Sequence, residues 1–367
     1  MAVLWILLLA VGLYLLLGLL YRRFWNKGLR AQLTFTQEYG VEGQESALRE
    51  VVENDKLLPL PAVEISFHMD KGLQFSQEDN SSVSDATYRR DIFALGPRQR
   101  ITRSLDFVCG RRGYYRIDEA GLLARDLAMS QQFLTAFPQN TSFYVLPRPV
   151  DAQRIAIPFS QLMGSVISKK RVYDDPLEFA GLRAYSREDP MKYINWKATA
   201  REGELLVNLH ESTLSQTVTL LVDMEGKGVQ QADVLNEEGV RVAASLCRGL
   251  LSAGIQVEVY SNGADVLTGR PLAIGRVAGA GSDLSLQKKF ACLQAGNGLP
   301  PIQSFFPAPG EGENRLLVLI SRSQREDLCR DLAAWAGKRP CLHIAPYLAE
   351  HPDLPEPGNL RRLWWQA

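Results

Sequence analysis

The sequence predicts a multidomain chain made of an N-terminal transmembrane helix, a β-sandwich and an α/β domain with a mostly parallel sheet. Three observations carry this reading. Val3 to Leu20 is almost entirely Leu, Val, Ile, Ala and Gly, with no charge. Short segments that alternate apolar and polar residues fill the region up to residue 150. From residue 217 onward, apolar strand runs alternate with stretches of helical periodicity. With 367 residues, the chain exceeds what one compact core holds. The predicted division is 1–30 for the anchor and its basic flank, 31–150 for the sandwich, 151–215 for a connecting region and 216–367 for the α/β domain.

Taken in order, about twenty apolar residues suffice to cross a bilayer core as a helix. A cleaved signal peptide needs a basic leading region and a small-residue cleavage site. MAVLW carries no basic residue and GLLYRRF offers no such site, so an uncleaved anchor is predicted. Arg22, Arg23, Lys27 and Arg30 follow at once. Their charge places the remainder of the chain in the cytoplasm of a single-pass inner-membrane protein, with Trp25 at headgroup level.

The segments LTFTQ, ALREVVEN, AVEISFHMD, IFALG, ITRSLDFVC, GYYRID, GLLARDL and SFYVLP read as short strands. Turn signals at Asn54-Asp55, Gly96-Pro97 and Arg112-Gly113 separate them. Seven or eight strands at this spacing predict an immunoglobulin-like sandwich. The polar run Gln74 to Asp91 reads as an exposed loop.

In the last domain, TVTLLVDM, IQVEVYSNG, RLLVLIS and CLHIAPYL read as buried strands. Between them, Val240, Ala243, Leu246, Cys247 and Leu250 share one helical face, with Gly254 as the stop. Ser282 and Asp283 open a helix through about Leu293, and Gln324–Ala336 forms another. Such alternation implies helices on both faces of the sheet. The basic, aromatic tail LRRLWWQA is expected to dock on its own domain, the alternative being contact with the membrane interface or a partner.

Formal net charge is +0, so no global field draws the protein to nucleic acid. The five cysteines stand singly, without a CxxC pair, and read as reduced, mostly buried thiols. His68, His210, His343 and His351 lie far apart and form no HExxH. There is no GxSxG elbow, and Ser252 reads as a helix-end serine. Gly279-Ala280-Gly281 lacks the third glycine of a dinucleotide fingerprint. Asp223 ends the first α/β strand, where open sheets bind ligands. It and Glu225 are weak candidate metal ligands, but Lys227 stands where an oxygen is wanted. The alternative reading is that Asp223 caps a helix or pairs with a charge.

The richest stretch is Arg183 to Arg201, RAYSREDPMKYINWKATAR. Cations at Arg183, Arg187, Lys192, Lys197 and Arg201 are interleaved with Tyr185, Tyr193 and Trp196. With no His, Cys or phosphate loop, it suits a recognition surface better than a reaction centre. Asp189 can cap a helix that spaces Ile194, Lys197 and Arg201 on successive turns. Trp196 is predicted to plug a domain junction. Arg and Trp serve buried networks and interface anchors alike.

The pattern RxYxxxDPxxYINWKxTAR, then ELLVNLHE and an apolar strand ending in Asp, resembles the bacterial "domain of unknown function 58" family. There the stretch usually reads Arg-x-Tyr, Gly-Asp, a basic residue, Ile, Asp or Asn, Trp, and Ala-Arg. The matching positions are Arg183, Tyr185, Asp189, Ile194, Asn195, Trp196, Ala200 and Arg201. Glu188 departs from the usual glycine, and many relatives have two hydrophobic helices where this chain has one. The resemblance extends to RRGYYRI and YVLPRP, and implies a C-terminal domain similar to von Willebrand factor A. Such domains often hold Mg²⁺ through Asp-x-Ser-x-Ser. Here Glu225 and Lys227 replace the serines and Ser321-Arg322 stands where a further acid belongs, so the resemblance implies a degraded metal site. It further implies a partnership with a MoxR-type AAA+ ATPase in assembling or maturing other proteins, with no enzymatic activity and no cofactor. The expectation is a membrane-anchored, non-catalytic scaffold. Its alternative is a metal-dependent, adhesion-type module using Asp223 and Glu225.

Overall fold

The computed structural model describes residues 2–75, 87–172, 179–186, 191, 194–210, 217–226, 230–296, 298–306, 315–323, 325–336, 341–348 and 360–367. The chain divides into two compact units, Met1–Arg148 and Pro149–Ala367. The predicted connecting region 151–215 thus belongs to the second unit.

The first unit opens with α1 (Ala2–Phe24), whose run Val3–Phe24 is long and apolar enough to cross a membrane and is exposed from Val3 to Leu16. Nine strands follow: β1 (Leu29–Phe35), β2 (Tyr39–Val41), β3 (Glu45–Asn54), β4 (Leu60–Met69), β5 (Leu73–Phe75), β6 (Thr87–Leu95), β7 (Gln99–Cys109), β8 (Gly113–Arg125) and β9 (Gln132–Leu146). They form two sheets, ordered β1-β3-β7-β5 and β2-β9-β8-β4-β6. Side chains alternate inward and outward, as in the strict buried–exposed pattern of β1. The inward sets of both sheets merge into one core that includes Leu48, Ile65, Phe107, Leu122 and Phe143, which makes the unit a β-sandwich. Phe107 meets Phe35 and Phe143 edge-on, with centroids 5.8 and 5.4 Å away. Gln139 ties the sheets at one edge: its Oε1 accepts from the Leu33 amide at 2.9 Å and its Nε2 donates to the Ala31 carbonyl at 3.0 Å.

Two predictions are corrected here. GYYRID and GLLARDL are not separate strands but one strand, β8, interrupted by an irregularity between Ile117 and Glu119. The run read as a loop from Gln74 to Asp91 contains the start of β6 at Thr87; residues 76–86 lie outside the described residues.

Trp25 is packed into the sandwich. It is buried, stacked on Phe133 at 5.3 Å, and Tyr21 is fully buried with its hydroxyl donating to the Pro59 carbonyl at 2.6 Å. The end of α1 is therefore part of the sandwich core.

The second unit begins with α2 (Ala152–Val172), whose start is fixed by Asp151 accepting from the Gln153 amide at 2.8 Å. Then come β10 (Phe179–Ala184), α3 (Trp196–Glu202) and β11 (Leu206–His210). The main sheet follows with β12 (Thr217–Val222), α4 (Gln230–Ser252), β13 (Gln256–Asp265), β14 (Pro271–Val277), α5 (Asp283–Cys292), β15 (Leu293–Gln294), β16 (Arg315–Ile320), α6 (Glu326–Ala336), β17 (Cys341–Tyr347) and β18 (Leu360–Gln366). Its order is β14-β13-β12-β16-β17-β18, with β15 also on β13. Strands β13, β12, β16, β17 and β18 run parallel, whereas β14 and β15 are antiparallel. The sheet is mixed rather than simply parallel, because after β13 the chain folds straight back as β14.

The all-apolar run of β16 is explained by its two covered faces. Leu316, Val318 and Ile320 join the core under α4 and α5, with Val240, Leu246, Leu250 and Phe290. Leu317 and Leu319 face the other core, with Leu328 and Leu332 of α6. Ser282 precedes α5 but does not cap it, since its hydroxyl bonds the Ala278 carbonyl instead. The tail LRRLWWQA docks on its own unit as β18, paired with β17.

Candidate functional site

Strand β12 lies inside the sheet, with β13 on one side and β16 on the other. The chain moves to one flank first and later crosses to the opposite one. Such a reversal leaves a crevice beyond the carboxyl ends of the strands. Asp223 sits there, one residue past β12, and is buried.

Three neighbours converge on its carboxylate. Ser321, one residue past β16, donates its hydroxyl to Oδ2 at 2.7 Å. Asn262, toward the end of β13, donates from Nδ2 to Oδ1 at 2.8 Å while its own Oδ1 accepts from the Met224 amide at 2.8 Å. The Glu225 amide reaches Oδ1 at 3.2 Å. The Ser261 hydroxyl donates to the Val222 carbonyl at 2.5 Å. Asp223 thus clamps three strand ends together. Among the described residues it makes no bond to α4, whose described part begins at Gln230.

His343 on β17 lies behind this clamp, fully buried. Its Nε2 is 3.1 Å from the Ser321 carbonyl, which only a protonated nitrogen can bond, and Arg362 Nε approaches Nδ1 at 3.4 Å as a donor. Both contacts select the neutral Nε2–H tautomer. Burial, aided by the Arg362 charge, lowers its pKa to about 4, against the opposing pull of the Ser321 carbonyl and Asp223.

Serine, histidine and aspartate meet here, yet their connectivity is not that of a hydrolytic triad. In a triad the imidazole takes the serine proton and the carboxylate orients the imidazole. Here the Ser321 hydroxyl bonds the carboxylate directly, and His343 bonds the Ser321 backbone. Ser321 is only 1% exposed and His343 0%, so neither meets a substrate. Burial also holds three of the cysteines as thiols: it raises Cys109 to about 11 and Cys341 to about 12, and Cys247 is raised as well.

The rim of the crevice is cationic. Arg325 pairs with the Glu225 carboxylate at 3.4 Å. Arg322 and Asn236 both donate to the Glu225 carbonyl, at 3.0 and 3.2 Å. Gly226 has φ +98, and any Cβ there would strike the Arg322 guanidinium. A hard divalent cation takes about six oxygens. Asp223 and Ser321 offer three, the carboxylate pair already bonded to Asn262 and Ser321, and Glu225 is drawn to Arg325. No trio of His, Cys, Asp or Glu suited to a metal occurs among the described residues. The donor set does not fit a metal, and Lys227 lies outside the described residues.

The charged stretch folds elsewhere in the unit, as an excursion between β10 and β11. Arg183 is on β10, exposed and paired through its backbone with Val207. The Tyr185 amide donates to the Leu205 carbonyl at 2.8 Å. The helix starts later than predicted, at Trp196, and its cap is Asn195, whose side chain accepts from the Ala198 amide at 3.0 Å. Gly203, at φ 77, closes it in the left-handed conformation. Thr199 Oγ1 accepts from the Leu206 amide at 3.0 Å, tying α3 to β11.

Trp196 lies on the surface of α3. Its side chain is 62% exposed, Lys197 and Arg201 beside it are exposed, and Met191 is 68% exposed. Asp189, Arg187, Lys192 and Tyr193 lie outside the described residues. The structure therefore brings Asn195, Trp196, Lys197 and Arg201 onto one short helix near the Arg183 strand, away from Asp223 and Glu225 in sequence and in secondary structure.

Sequence reasoning missed Asn262, His343 and the Arg322–Arg325 pair as neighbours of Asp223. The signal was present: Ser261-Asn262 lies late in β13 and Ser321-Arg322 follows β16, at positions that parallel pairing brings level with Asp223.

No family model matches the chain, and no curated protein matches it. Several solved structures resemble part of it. The sixth cohesin of Acetivibrio cellulolyticus scaffoldin B aligns at 10% identity, covering 32% of this chain and 99% of that one, with a TM-score of 0.24. The CARDB domain of PF1109 from Pyrococcus furiosus aligns at 10% identity over 31% of this chain and 94% of that one, with a TM-score of 0.21. Domains D2 and D3 of the pilin SpaD from Corynebacterium diphtheriae align at 8% identity over 29% of this chain, with a TM-score of 0.22. The chain spans only 49% of that pilin structure. At these scores the likenesses carry no argument about fold or function.

Proposed function

We propose that this chain is a membrane-anchored, non-catalytic scaffold that docks a MoxR-type AAA+ ATPase through the α3 surface. One observation carries the reading: Trp196 is 62% exposed on a helix fixed at both ends, between exposed cations. An exposed Trp is costly in water and is the residue type most often found at the centre of interfaces. The caps pre-order the helix, so binding loses little conformational freedom there. Arg183, Lys197 and Arg201 give the patch a charge suited to acidic partner side chains. The α/β unit is then a von Willebrand factor A-like domain in which the Asp223 clamp replaces a metal site. The β-sandwich joins that unit to a single-pass anchor in the inner membrane, with both units in the cytoplasm. The burial of Tyr21 and Trp25 in the sandwich supports retention of α1, since a cut past Trp25 would remove both side chains from the core.

The test uses the full chain in lipid nanodiscs. Affinity for the ATPase is measured for the native chain and for Trp196→Ala and Arg201→Ala. The expected result is a roughly tenfold or greater loss for Trp196→Ala. Unchanged affinity in both variants would overturn the docking surface.

A further inference from the structure

Two loops of the sandwich stand beside the end of α1. The β8–β9 turn reaches it through Gln131, which accepts from Arg22 Nε at 3.2 Å and lies close enough to Gly18 that a Cβ there would be 3.1 Å from its Nε2. The β3–β4 loop reaches it through Pro59, bonded by Tyr21, and through Asp55, whose amide donates to the Gly28 carbonyl at 2.9 Å.

Gly18 is about 6 Å above Arg22 along the helix axis at 1.5 Å per residue. Val3 to Arg22 spans about 28 Å, close to the ~30 Å hydrocarbon thickness of a bilayer. If α1 spans the membrane, the hydrocarbon boundary falls near Arg22. The β8–β9 turn, packed from Gly18 to Arg22, then lies at that boundary.

Among the polar side chains of these loops stand three exposed apolar ones. Leu127 is 53%, Met129 52% and Leu57 70% exposed. Phe24 is 40% exposed, with the Lys27 ammonium 4.9 Å from its ring. The turn is not loose. Asp126 accepts from the Ser130 amide and hydroxyl at 2.7 and 2.8 Å and from the Gln131 amide at 3.0 Å. Met129 has φ 55, a left-handed conformation that costs a side chain energy and that glycine would adopt freely. A rigid turn that keeps a methionine in that position presents the side chain outward.

We infer that Leu127, Met129 and Leu57 form a rim that inserts into the bilayer interface around the anchor, with Arg22, Arg23 and Lys27 at the lipid phosphates. The occupant is the lipid surface itself, because the patch is continuous with an apolar helix that has the length of a span. This inference rests on the anchor reading above. It adds that the sandwich is seated on the membrane at two further points and does not swing on a tether.

The full chain is reconstituted in phosphatidylcholine–phosphatidylglycerol vesicles, in a Cys329→Ser background that leaves only buried native thiols. An environment-sensitive fluorophore is attached at Leu13→Cys in α1, at Leu57→Cys, at Leu127→Cys and at Tyr39→Cys. Tyr39 pairs with Tyr144, at the far end of β9 from the β8–β9 turn. Lipids carrying shallow or deep nitroxides then quench the probes. The expected result is deep quenching at position 13, shallow quenching with blue-shifted emission at 57 and 127, and neither at 39. Quenching at 13 with 57 and 127 behaving like 39 would overturn the rim and leave the anchor standing. No quenching at 13 would remove the anchor, and the rim with it.

Discussion

Asp223 and Ser321 are 98 residues apart in sequence and share a 2.7 Å hydrogen bond that joins the carboxyl ends of β12 and β16. The bond is buried, and the acceptor carries a charge, so it belongs to the stronger class of hydrogen bonds. Asp223→Ala would strand the Ser321 hydroxyl, the Asn262 amide and the Glu225 amide at once. A loss of about 3 kcal/mol is expected, since each buried unsatisfied group costs roughly 1–3 kcal/mol. Ser321→Ala should cost about 1–2 kcal/mol, and the double variant should cost less than the sum. Urea unfolding of the four proteins measures this, and simple additivity would contradict the shared clamp.

His343 gives the second unit a pH signature. Its folded pKa is about 4, below the usual value of 6.5. Between those limits the unfolded state takes up a proton that the folded state refuses, so stability rises with pH across the window. The contribution is intact above about pH 6.5 and is lost progressively as pH falls toward 4, after which no further loss arises from this group. The interval corresponds to roughly 3 kcal/mol at about 1.4 kcal/mol per pH unit. His343→Gln keeps a donor for the Ser321 carbonyl without the titration. Its unfolding free energy should therefore fall less steeply than that of the native chain between pH 6.5 and 4, and parallel slopes would refute the assignment.

The patterns that sequence made legible were those with a period. The α1 run, the alternating β1 and the doubly buried β16 are all visible because one physical constraint repeats along consecutive residues. The packing of Trp25 was not legible because tryptophan serves both a membrane interface and a core. Only the partner, Phe133, decides between them, and it lies far along the chain. The 62% exposure of Trp196 was hidden for the same reason. The Asp223 clamp was half legible: a carboxylate at a strand end is a local feature, whereas the identity of its neighbours depends on sheet order. The insertion of β14 and the docking of β18 left no periodic mark that distinguishes an edge strand from a loop.

Tyr21 and Trp25 should make the sandwich depend on its own leader. Tyr21→Phe removes the 2.6 Å bond to the Pro59 carbonyl and should cost about 1 kcal/mol. Trp25→Ala opens space against Phe133 and should cost about 3 kcal/mol or more. Thermal unfolding of the full chain in detergent would show both as a lower midpoint. A chain truncated before Leu29 should unfold earlier still. Equal midpoints for the truncated and full chains would mean that the buried pair contributes nothing.

Trp196 separates a docking surface from a structural one. The residues of α3 are without a buried member, and its Trp is 62% exposed. Truncating such a side chain changes stability by within about 0.5 kcal/mol. Truncating an interface anchor costs about 2 kcal/mol or more of binding. Trp196→Ala should therefore leave the unfolding curve in place while abolishing most of the affinity for the ATPase. Asn195→Ala should do the reverse in part: losing the cap costs about 1 kcal/mol of local stability, and binding should weaken only as far as α3 frays. Hydrogen exchange at the Ala198 amide would report that fraying directly. A Trp196→Ala chain that unfolds as early as an Asp223→Ala chain would show the ring to be buried against its own fold in solution, and the docking surface would have to lie elsewhere.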